Sequence, residues 1–522
     1  MIRRRLLTGT LSNFAGRFTT AGIWFVLTPF LLARLEADGY ALWVLMSAVA
    51  SYGSLLELGI GGAVVKYVAE HVARGERDAA MKVISSSFLV YLGLGLATLI
   101  VSVAIAPSLS HFLGVAAEDQ PTAAWLVIVT GLYVAVSIAF TPWTSLLRGL
   151  QRHDLANGVQ VMGSLVLAAA TVAALLLGWG VLGMVAMNVP VNIVMGVASA
   201  CLCRRAAPDL SLAWRGADVA TLRRITSFSS SLFVIDVATC LRSKSDAFVI
   251  ALFRPVSAVT PYALAKKLAE LNDLIVMQFL KVVMPLASEL DAGDRARKLR
   301  TLHIVASRLA LAVAVPIAVV LVIVGGPVLS IWVGPEYAEY EDLVDVLVIA
   351  SVFATSQAPA ARILQGIARH RIVATTSIAA GVANVALAIL LLPRFGLMGA
   401  AVGNLIPTAV SALAVILPFA NRTLHVTWRD ALREIWLPAV LPGVGAGAML
   451  WMLHLKSAAP SSGLLAGWIA TTMLAYVVGY LMMPASGAER RLLSDAVTSG
   501  ASLVSRRRLL SRRIGDHSSI ET

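Results

Sequence analysis

Two segments, PWTSLLRGLQRHD at residues 142–154 and PAARILQGIARHR at residues 359–371, repeat one pattern. They share a proline, a leucine, a glycine and an Arg-His pair at a constant offset of 217 residues. A second motif, Gly-x-x-Gly followed by Asn, recurs at residues 180–188 and 396–404 with an offset of 216. Similar glycine-rich helix ends can arise by chance, but shared positions at a nearly fixed offset favour an internal repeat.

The composition around these motifs is that of an integral membrane protein. The chain has 522 residues, of which 58% are hydrophobic and 14% are charged, whereas soluble domains have about 25% charged residues. Its three cysteines, Cys201, Cys203 and Cys240, give no even disulfide framework. Cys201 and Cys203 have no further cysteine or histidine nearby, so we interpret them as ordinary membrane-helix cysteines and expect neither a metal site nor a cofactor.

Hydropathy predicts an all-α polytopic membrane protein with about fourteen transmembrane helices, because a helix that crosses a bilayer needs about 20 mostly apolar residues. The candidate spans lie near residues 10–33, 40–64, 83–106, 123–147, 155–178, 181–203, 225–252, 257–284, 304–329, 342–364, 372–392, 396–420, 435–454 and 463–483.

The basic residues of the connecting segments alternate between the two sides of the membrane. One side carries 31 Lys and Arg residues, counting both termini, and the other carries only Arg34, Arg254, Arg394 and Lys456. Since cytoplasmic loops are enriched in Lys and Arg, both termini are predicted to be cytoplasmic. Most of the net charge of +13 is then a topology signal, and we expect no nucleic-acid binding.

The repeat gives a domain organisation. We predict an N-lobe of spans 1–6 at residues 1–220, a C-lobe of spans 7–12 at residues 221–421, spans 13–14 at residues 422–484, and a basic cytoplasmic tail at residues 485–522. Six spans per repeat give both repeats the same orientation, and transporters of this kind place the substrate site between them. The tail could bind a partner protein, but contact with anionic lipid headgroups is the simpler interpretation.

Span 8, PYALAKKLAELNDLIVMQFLK at residues 261–281, carries charges within an apolar segment. At helical periodicity Lys266, Glu270 and Asp273 share one face, with Lys267 beside it. Charged side chains within a membrane normally face the bundle interior or water, so this face is predicted to line an internal space. Whether Lys266 contacts substrate or pairs with Glu270 four residues later stays open.

Polar faces also occur in the first two spans of the first repeat and in the first span of the second. They carry Arg17 in span 1, Glu57 in span 2, and Asp236 and Arg242 in span 7. Arg242 could pair with Asp246 along the same helix. Spans 1, 2, 7 and 8 carry six basic and five acidic residues, which does not predict a strongly cationic lumen.

Common enzyme motifs are missing from the sequence. There is no P-loop, no His-Glu-x-x-His and no Gly-x-Ser-x-Gly segment, so we predict that the protein is not an enzyme and does not hydrolyse ATP. Transport would then draw on an ion gradient, the membrane potential or the gradient of the substrate itself.

Several segments, taken together, resemble the Wzx-type polysaccharide and lipid-linked oligosaccharide flippases. They are ARLEADGYALWVLMSAVASYGSLLELGIGGAVVKYVAE at 33–70, KSDAFVIALF at 244–253, IWVGPEY at 331–337 and RFGLMGAAVGN at 394–404. This group belongs to the multidrug/oligosaccharidyl-lipid/polysaccharide (MOP) exporter superfamily, which also holds the MATE drug exporters.

The resemblance implies a V-shaped, two-lobed transporter that works by alternating access in the bacterial cytoplasmic (inner) membrane. It would flip a polyprenyl-pyrophosphate-linked oligosaccharide for cell-surface polysaccharide biosynthesis, with membrane lipids and other polysaccharide-assembly proteins as further partners. By resemblance, the candidate substrate-binding residues are Arg17, Arg242, Lys266 and Lys267. The candidate carboxylates for H+ or Na+ coupling, or for the lumen wall, are Glu57, Asp236, Glu270 and Asp273.

Three alternative functions stay open. The first is a MATE-type cation-coupled multidrug exporter, although that type typically has twelve spans and the lumen cations of this chain would repel cationic drugs. A membrane glycosyltransferase or ligase would need a substantial outer loop, which the predicted topology lacks. A silent scaffold of an envelope complex is the third alternative.

Overall fold

The computed structural model describes residues 2–57, 59–112, 120–208, 218–293, 295–455 and 460–484. Within these ranges, the side chains up to residue 15 and those at 17, 54, 109–112, 219–220, 223–232 and 234–236 lie outside the description. All regular elements of the described part are helices, as the hydropathy predicts.

The first repeat forms seven α-helices that follow the six predicted spans. They are α1 (Ile2–Ser54), α2 (Ile60–Ala73), α3 (Arg77–Phe112), α4 (Gln120–Gly149), α5 (His153–Leu176), α6 (Gly180–Ala186) and α7 (Asn188–Ala206). Spans 1 and 2 share α1, which bends at Glu36 (φ 57°, ψ −175°), and span 2 continues through a short 3-10 turn into α2.

The second repeat and the last two spans form the remaining helices. They are α8 (Val219–Phe253), α9 (Val259–Ala269), α10 (Leu271–Ala292), α11 (Ala296–Val333), α12 (Glu341–Gly366), α13 (His370–Phe395), α14 (Leu397–Val410), α15 (Leu417–Thr423), α16 (Trp428–Ala431), α17 (Leu437–Leu455) and α18 (Ser462–Met482). Two π-helical segments, Ser411–Ile416 and Leu432–Trp436, join α14 to α15 and α16 to α17.

Twelve helical stretches of the described part are long and apolar enough to cross a membrane. The first, Phe18–Glu57, holds predicted spans 1 and 2, while α8, which holds predicted span 7, is not among the twelve. The predicted count of fourteen is therefore approximate, although every predicted span corresponds to helix in the structure.

The repeated motifs have matching backbone geometry. Gln151 and Ala368, at the 217-residue offset, both adopt positive φ (60° and 59°). Each follows a helix whose end is closed the same way, since Arg152 N donates to Leu147 O at 2.9 Å and Arg369 N to Leu364 O at 2.8 Å. Gly180 and Gly396, at the 216-residue offset, match as well (φ 59° and 60°), and glycine reaches this region without a steric penalty.

The buried cores are distributed differently at the two ends of the helices. We name these ends after turn residues: the Glu36 end, which also carries Arg254, and the Arg152 end, which also carries Arg369. At the Glu36 end, one apolar cluster contains Leu31 and Tyr40 of the first repeat together with residues of the second. At the Arg152 end, the clusters described for the two repeats are separate. Among the described side chains, a common core joins the repeats at the Glu36 end, while α8 also lies against α2 and α3.

Candidate functional site

A cavity of about 180 Å³ lies between the repeats, beside the core of the Glu36 end. One wall comes from the second part of α1, with Tyr40 and Trp43, and the other from α8 and α9. A smaller cavity of about 80 Å³ continues into the second repeat against α12 and α14. Ser243, Lys266 and Glu270 line both cavities, so the charged face predicted for span 8 borders this internal space.

The local fold of span 8 explains how these side chains reach the cavities. The span is divided into α9 and α10 at Glu270, whose N–H still bonds to Lys266 O at 2.9 Å. The helical direction is therefore kept across the division, and residues three or four apart stay on one face. Tyr262, Lys266, Glu270 and Asp273 all line one or both cavities as a result.

Lys266 is held by a carboxylate of a neighbouring helix. Its ammonium lies 2.6 Å from Asp246 Oδ2 on α8 and donates to Ser243 O at 2.8 Å. Asp246 is buried (2% exposed) and also accepts from Tyr262 Oη at 2.9 Å and from Asn384 Nδ2 at 3.2 Å. In this structure Lys266 therefore pairs with Asp246 of α8 and not with Glu270 four residues later.

Lys267 reaches across to the first repeat. Its ammonium donates to Trp24 O at 3.1 Å and to the hydroxyl of Thr28, and it lies 6.0 Å from the ring centre of Trp43. Two further donors of the second repeat bind α1 carbonyls: Trp332 Nε1 bonds to Phe25 O at 3.2 Å, and Thr260 Oγ1 to Ala37 O at 2.6 Å.

The other candidates of the second repeat group around the smaller cavity. Arg242 and Asp273 line it and act on each other electrostatically. Asp273 also accepts from Thr355 Oγ1 at 3.3 Å. Glu270 is exposed where the two cavities meet. Basic and acidic groups therefore alternate along this wall, as the near-balanced charges predict.

Two of the sequence-predicted residues, Arg17 and Asp236, have side chains outside the described part. A third, Glu57, is not brought to the charged wall. It lines a separate cavity of about 400 Å³ within the first repeat, bounded by α2, α4, α5 and α7, and accepts from Thr141 Oγ1 at 3.3 Å.

Asp246 and Asn384, which hold Lys266 in place, are not among the sequence-predicted site residues. The sequence offers Asp246 only as a possible partner of Arg242, because periodicity within one helix gives no information about partners on another. Asn384 lies in an apolar stretch of α13 and has no local signal beyond a buried amide. Within the described residues, no group of three or more His, Cys, Asp or Glu side chains could hold a metal ion.

Comparison with known proteins places this arrangement in a family. The sequence model for the polysaccharide biosynthesis protein family matches residues 32–342, which include α9, the second part of α1 and the cavity between the repeats. The chain belongs to this family. A protein named "Probable flippase AglR", from Haloferax volcanii, is 21% identical over 427 residues, covering 80% of this chain and 85% of the relative.

Solved structures show the same fold. The lipid II flippase MurJ in an inward closed conformation has a TM-score of 0.71 at 14% identity, covering 93% of this chain and 100% of MurJ. An inward-facing MATE multidrug resistance transporter of the MOP superfamily has a TM-score of 0.65 at 17% identity, covering 79% of this chain and 94% of the transporter.

These comparisons confirm the resemblance drawn from the sequence motifs. The chain is a multi-pass membrane protein of the polysaccharide biosynthesis family with a MATE- and MurJ-like helical fold. The relatives and solved structures reported above are named as a flippase or as transporters.

Proposed function

We propose that this protein flips a polyprenyl-pyrophosphate-linked oligosaccharide across the cytoplasmic membrane for cell-surface polysaccharide biosynthesis. The observation that carries the proposal is the pair of adjoining charged cavities: Lys266 and Lys267 line the cavity between the repeats, and Lys266 and Arg242 line the smaller one. A pyrophosphate needs cationic donors inside the membrane, and those donors need a lumen that excludes lipid. The polyprenyl chain can stay in the bilayer while the headgroup crosses.

The distribution of cores supports alternating access. A common core closes the Glu36 end, whereas the clusters described at the Arg152 end each belong to one repeat. In this proposal the N-lobe and C-lobe move as units, and the Arg152 end faces the cytoplasm, as the loop charges predict. The described conformation is then the inward-facing one, which receives substrate from the cytoplasmic leaflet.

The Lys266–Asp246 pair supports a specific coupling step. If Lys266 turns toward a pyrophosphate, the buried carboxylate of Asp246 loses its counterion, which is costly in a low-dielectric interior. A proton or Na+ at Asp246 would remove this cost. Asn384 Oδ1 is buried nearby and has no hydrogen-bond partner among the described residues, so it is available to such a cation. Substrate binding and cation uptake are thereby linked.

The first experiment is deletion of the gene in its own host, with complementation by the wild-type chain or by Arg242→Gln. The deletion strain should accumulate lipid-linked sugar that faces the cytoplasm and should lose surface polysaccharide. Wild-type protein should restore both, whereas Arg242→Gln at equal membrane abundance should not. Unchanged surface polysaccharide in a host with no second flippase would contradict the proposal.

Drug-susceptibility profiling of the same strains tests the multidrug-exporter alternative. The proposal expects unchanged resistance to cationic drugs when the protein is overproduced. A broad rise in resistance, with unaltered lipid-linked sugar, would favour drug export instead.

A further inference from the structure

The cavity within the first repeat is distinct from the charged cavities between the repeats. It encloses about 400 Å³, within the range of roughly 300–1,000 Å³ typical of small-molecule sites. It shares no lining residue with either charged cavity. Arg148 lines it close to the turn at Gln151, so it reaches toward the Arg152 end. A headgroup that enters the lumen from that end can therefore meet it.

Neutral hydrogen-bonding groups dominate the walls of this cavity. The hydroxyls come from Ser137, Thr141, Thr144, Ser145 and Ser199, and an amide comes from Asn192. Hydroxyls and amides both donate and accept, so the bonds already formed do not exhaust them. Asn192, for example, uses one N–H on Asn188 O at 2.9 Å, which leaves a second donor and an acceptor on the same amide.

The equivalent cavity of the second repeat has the opposite chemistry. Asn192 and Thr408 correspond at the 216-residue offset, and Ser137 and Ala354 at the 217-residue offset. Each residue of these pairs lines the cavity of its own repeat. The second repeat lines this space with Arg242, Lys266, Glu270 and Asp273, whereas the described charged groups that line the first are Glu57 and Arg148. The two walls are thus specialised, one for charge and one for polar neutral groups.

A buried tyrosine lies just behind the wall of this cavity. The hydroxyl of Tyr91, a residue 0% exposed, has no hydrogen-bond partner among the described residues. A Cβ added to Gly61, which lines the cavity, would lie 3.4 Å from this hydroxyl and 3.3 Å from Ser145 Oγ. Tyr91 is itself not among the described lining residues, so the wall is thin at Gly61 and the binding groups are those of the lining hydroxyls and amide.

We infer that this cavity binds the saccharide part of the lipid-linked substrate, while the charged wall of the second repeat binds its pyrophosphate. The inference rests on the proposed function and deepens it. Saccharides present hydroxyls that both donate and accept, which matches Thr141 and Asn192. Glu57 would accept from sugar hydroxyls at this site and would not serve as an ion-coupling carboxylate.

The test uses the full-length protein in nanodiscs and compares the affinities of glycosylated and bare carriers. The probes are undecaprenyl pyrophosphate and its derivatives with a single glucose, galactose or N-acetylglucosamine. For the wild type, at least one glycolipid should bind about fivefold or more tightly than the bare carrier. Thr141→Val and Thr144→Val, which both change hydroxyls that line the cavity, should each reduce that preference to about twofold or less, with unchanged affinity for the bare carrier.

Thr130→Val is the matched control, because it makes the same change on the same helix α4 at a buried hydroxyl away from the cavity. It should keep the full preference for the glycolipid. Equal wild-type binding of all four probes would overturn the inference, as would a preference that survives both cavity variants. Absence of any probe binding would instead contradict the proposed function, so the two failures are distinguishable.

Discussion

At the scale of single residues, the contact between Lys266 and Asp246 decides how span 8 can act. Asp246 is 2% exposed and has Lys266, Tyr262 and Asn384 as partners. Lys266 therefore contributes to folding as well as to any substrate contact. The two roles can be separated, because Asp246→Asn removes the charge that makes Lys266 structurally necessary.

We predict that Lys266→Ala lowers the thermal stability of the purified protein. Loss of one partner of a buried ion pair costs about 3–5 kcal/mol, and since the Lys266 side chain is 17% exposed, the lower end of that range applies. The double variant Lys266→Ala/Asp246→Asn should recover most of the loss, as measured by thermal unfolding in detergent.

Lys244→Ala is the control for this prediction, because Lys244 lines the same cavity. Surface substitutions outside buried ion-pair networks usually change the free energy of unfolding by no more than about 0.5 kcal/mol. A stable Lys266→Ala variant would show that the ion pair contributes little to folding. If the stable double variant regains no transport, Lys266 has a role beyond neutralising Asp246.

The sequence predicts the presence of this charged wall but not its internal pairing. Helical periodicity places Lys266, Glu270 and Asp273 on one face, and the structure puts all three on the cavities. The sequence pattern suggests Glu270 as the partner of Lys266, because the two are four residues apart. The choice of Asp246 depends on how α8 and α9 pack, which no single-helix pattern contains. The same limit explains why Glu57 was grouped with residues that lie in another cavity.

At the scale of elements, the helix ends can be predicted from the repeat, whereas bends cannot. The shared Pro, Gly and Arg-His positions locate the turns at Gln151 and Ala368, which have the same φ. The single helix α1 across spans 1 and 2, bent at Glu36, has no counterpart in hydropathy, which detects length and apolarity only. The division of span 8 at Glu270 is likewise invisible to a periodic pattern.

Because the two turns have the same backbone geometry, substitution by glycine should change stability in the same direction at both. Gln151→Gly and Ala368→Gly should each raise the free energy of unfolding, because a non-glycine residue in the left-handed region costs about 1–2 kcal/mol. Thermal unfolding of the single variants measures both effects. Ala361→Gly, within the helical part of α12, is the control and should lower stability by about 1 kcal/mol. If both glycine variants instead lowered the free energy of unfolding, the positive φ at Gln151 and Ala368 would not carry the expected cost.

The contact between α1 and α11 gives a prediction about conformation. Pro29 has no N–H, so the carbonyl of Phe25 four residues earlier lacks its helical donor, and Trp332 Nε1 supplies one at 3.2 Å. Trp332→Phe keeps a ring to stack on Phe25 but removes the donor. We expect this variant to open the Glu36 end more often, because one bond between the repeats is lost.

Labelling of an introduced Ala37→Cys by a membrane-impermeant maleimide from outside the cell measures this opening. The rate should rise in the Trp332→Phe background. Trp451→Phe, which changes an exposed tryptophan of α17, is the control and should leave the rate unchanged. An unaltered rate in both backgrounds would show that the Trp332 bond does not hold the Glu36 end closed.

At the scale of the whole molecule, the proposed cycle requires the Glu36 end to open. One common core joins the repeats there. Separation of this core, which opens the lumen to the outer side, is therefore the largest rearrangement of the cycle. The repeats must then close against each other at the Arg152 end, where the described cores are separate. A covalent link at the Glu36 end should therefore stop transport without unfolding the protein.

The link we predict to do this is a disulfide between Ala37→Cys and Thr260→Cys, since Thr260 Oγ1 lies 2.6 Å from Ala37 O. In a chain with Cys201, Cys203 and Cys240 replaced by alanine, oxidation should abolish flipping and reduction should restore it. The single variants Ala37→Cys and Thr260→Cys in the same chain are the controls, because neither can form the link, and oxidation should leave their flipping intact. Continued transport by the oxidised Ala37→Cys/Thr260→Cys protein would contradict alternating access at this end, because the substrate would have to cross while the repeats stayed joined.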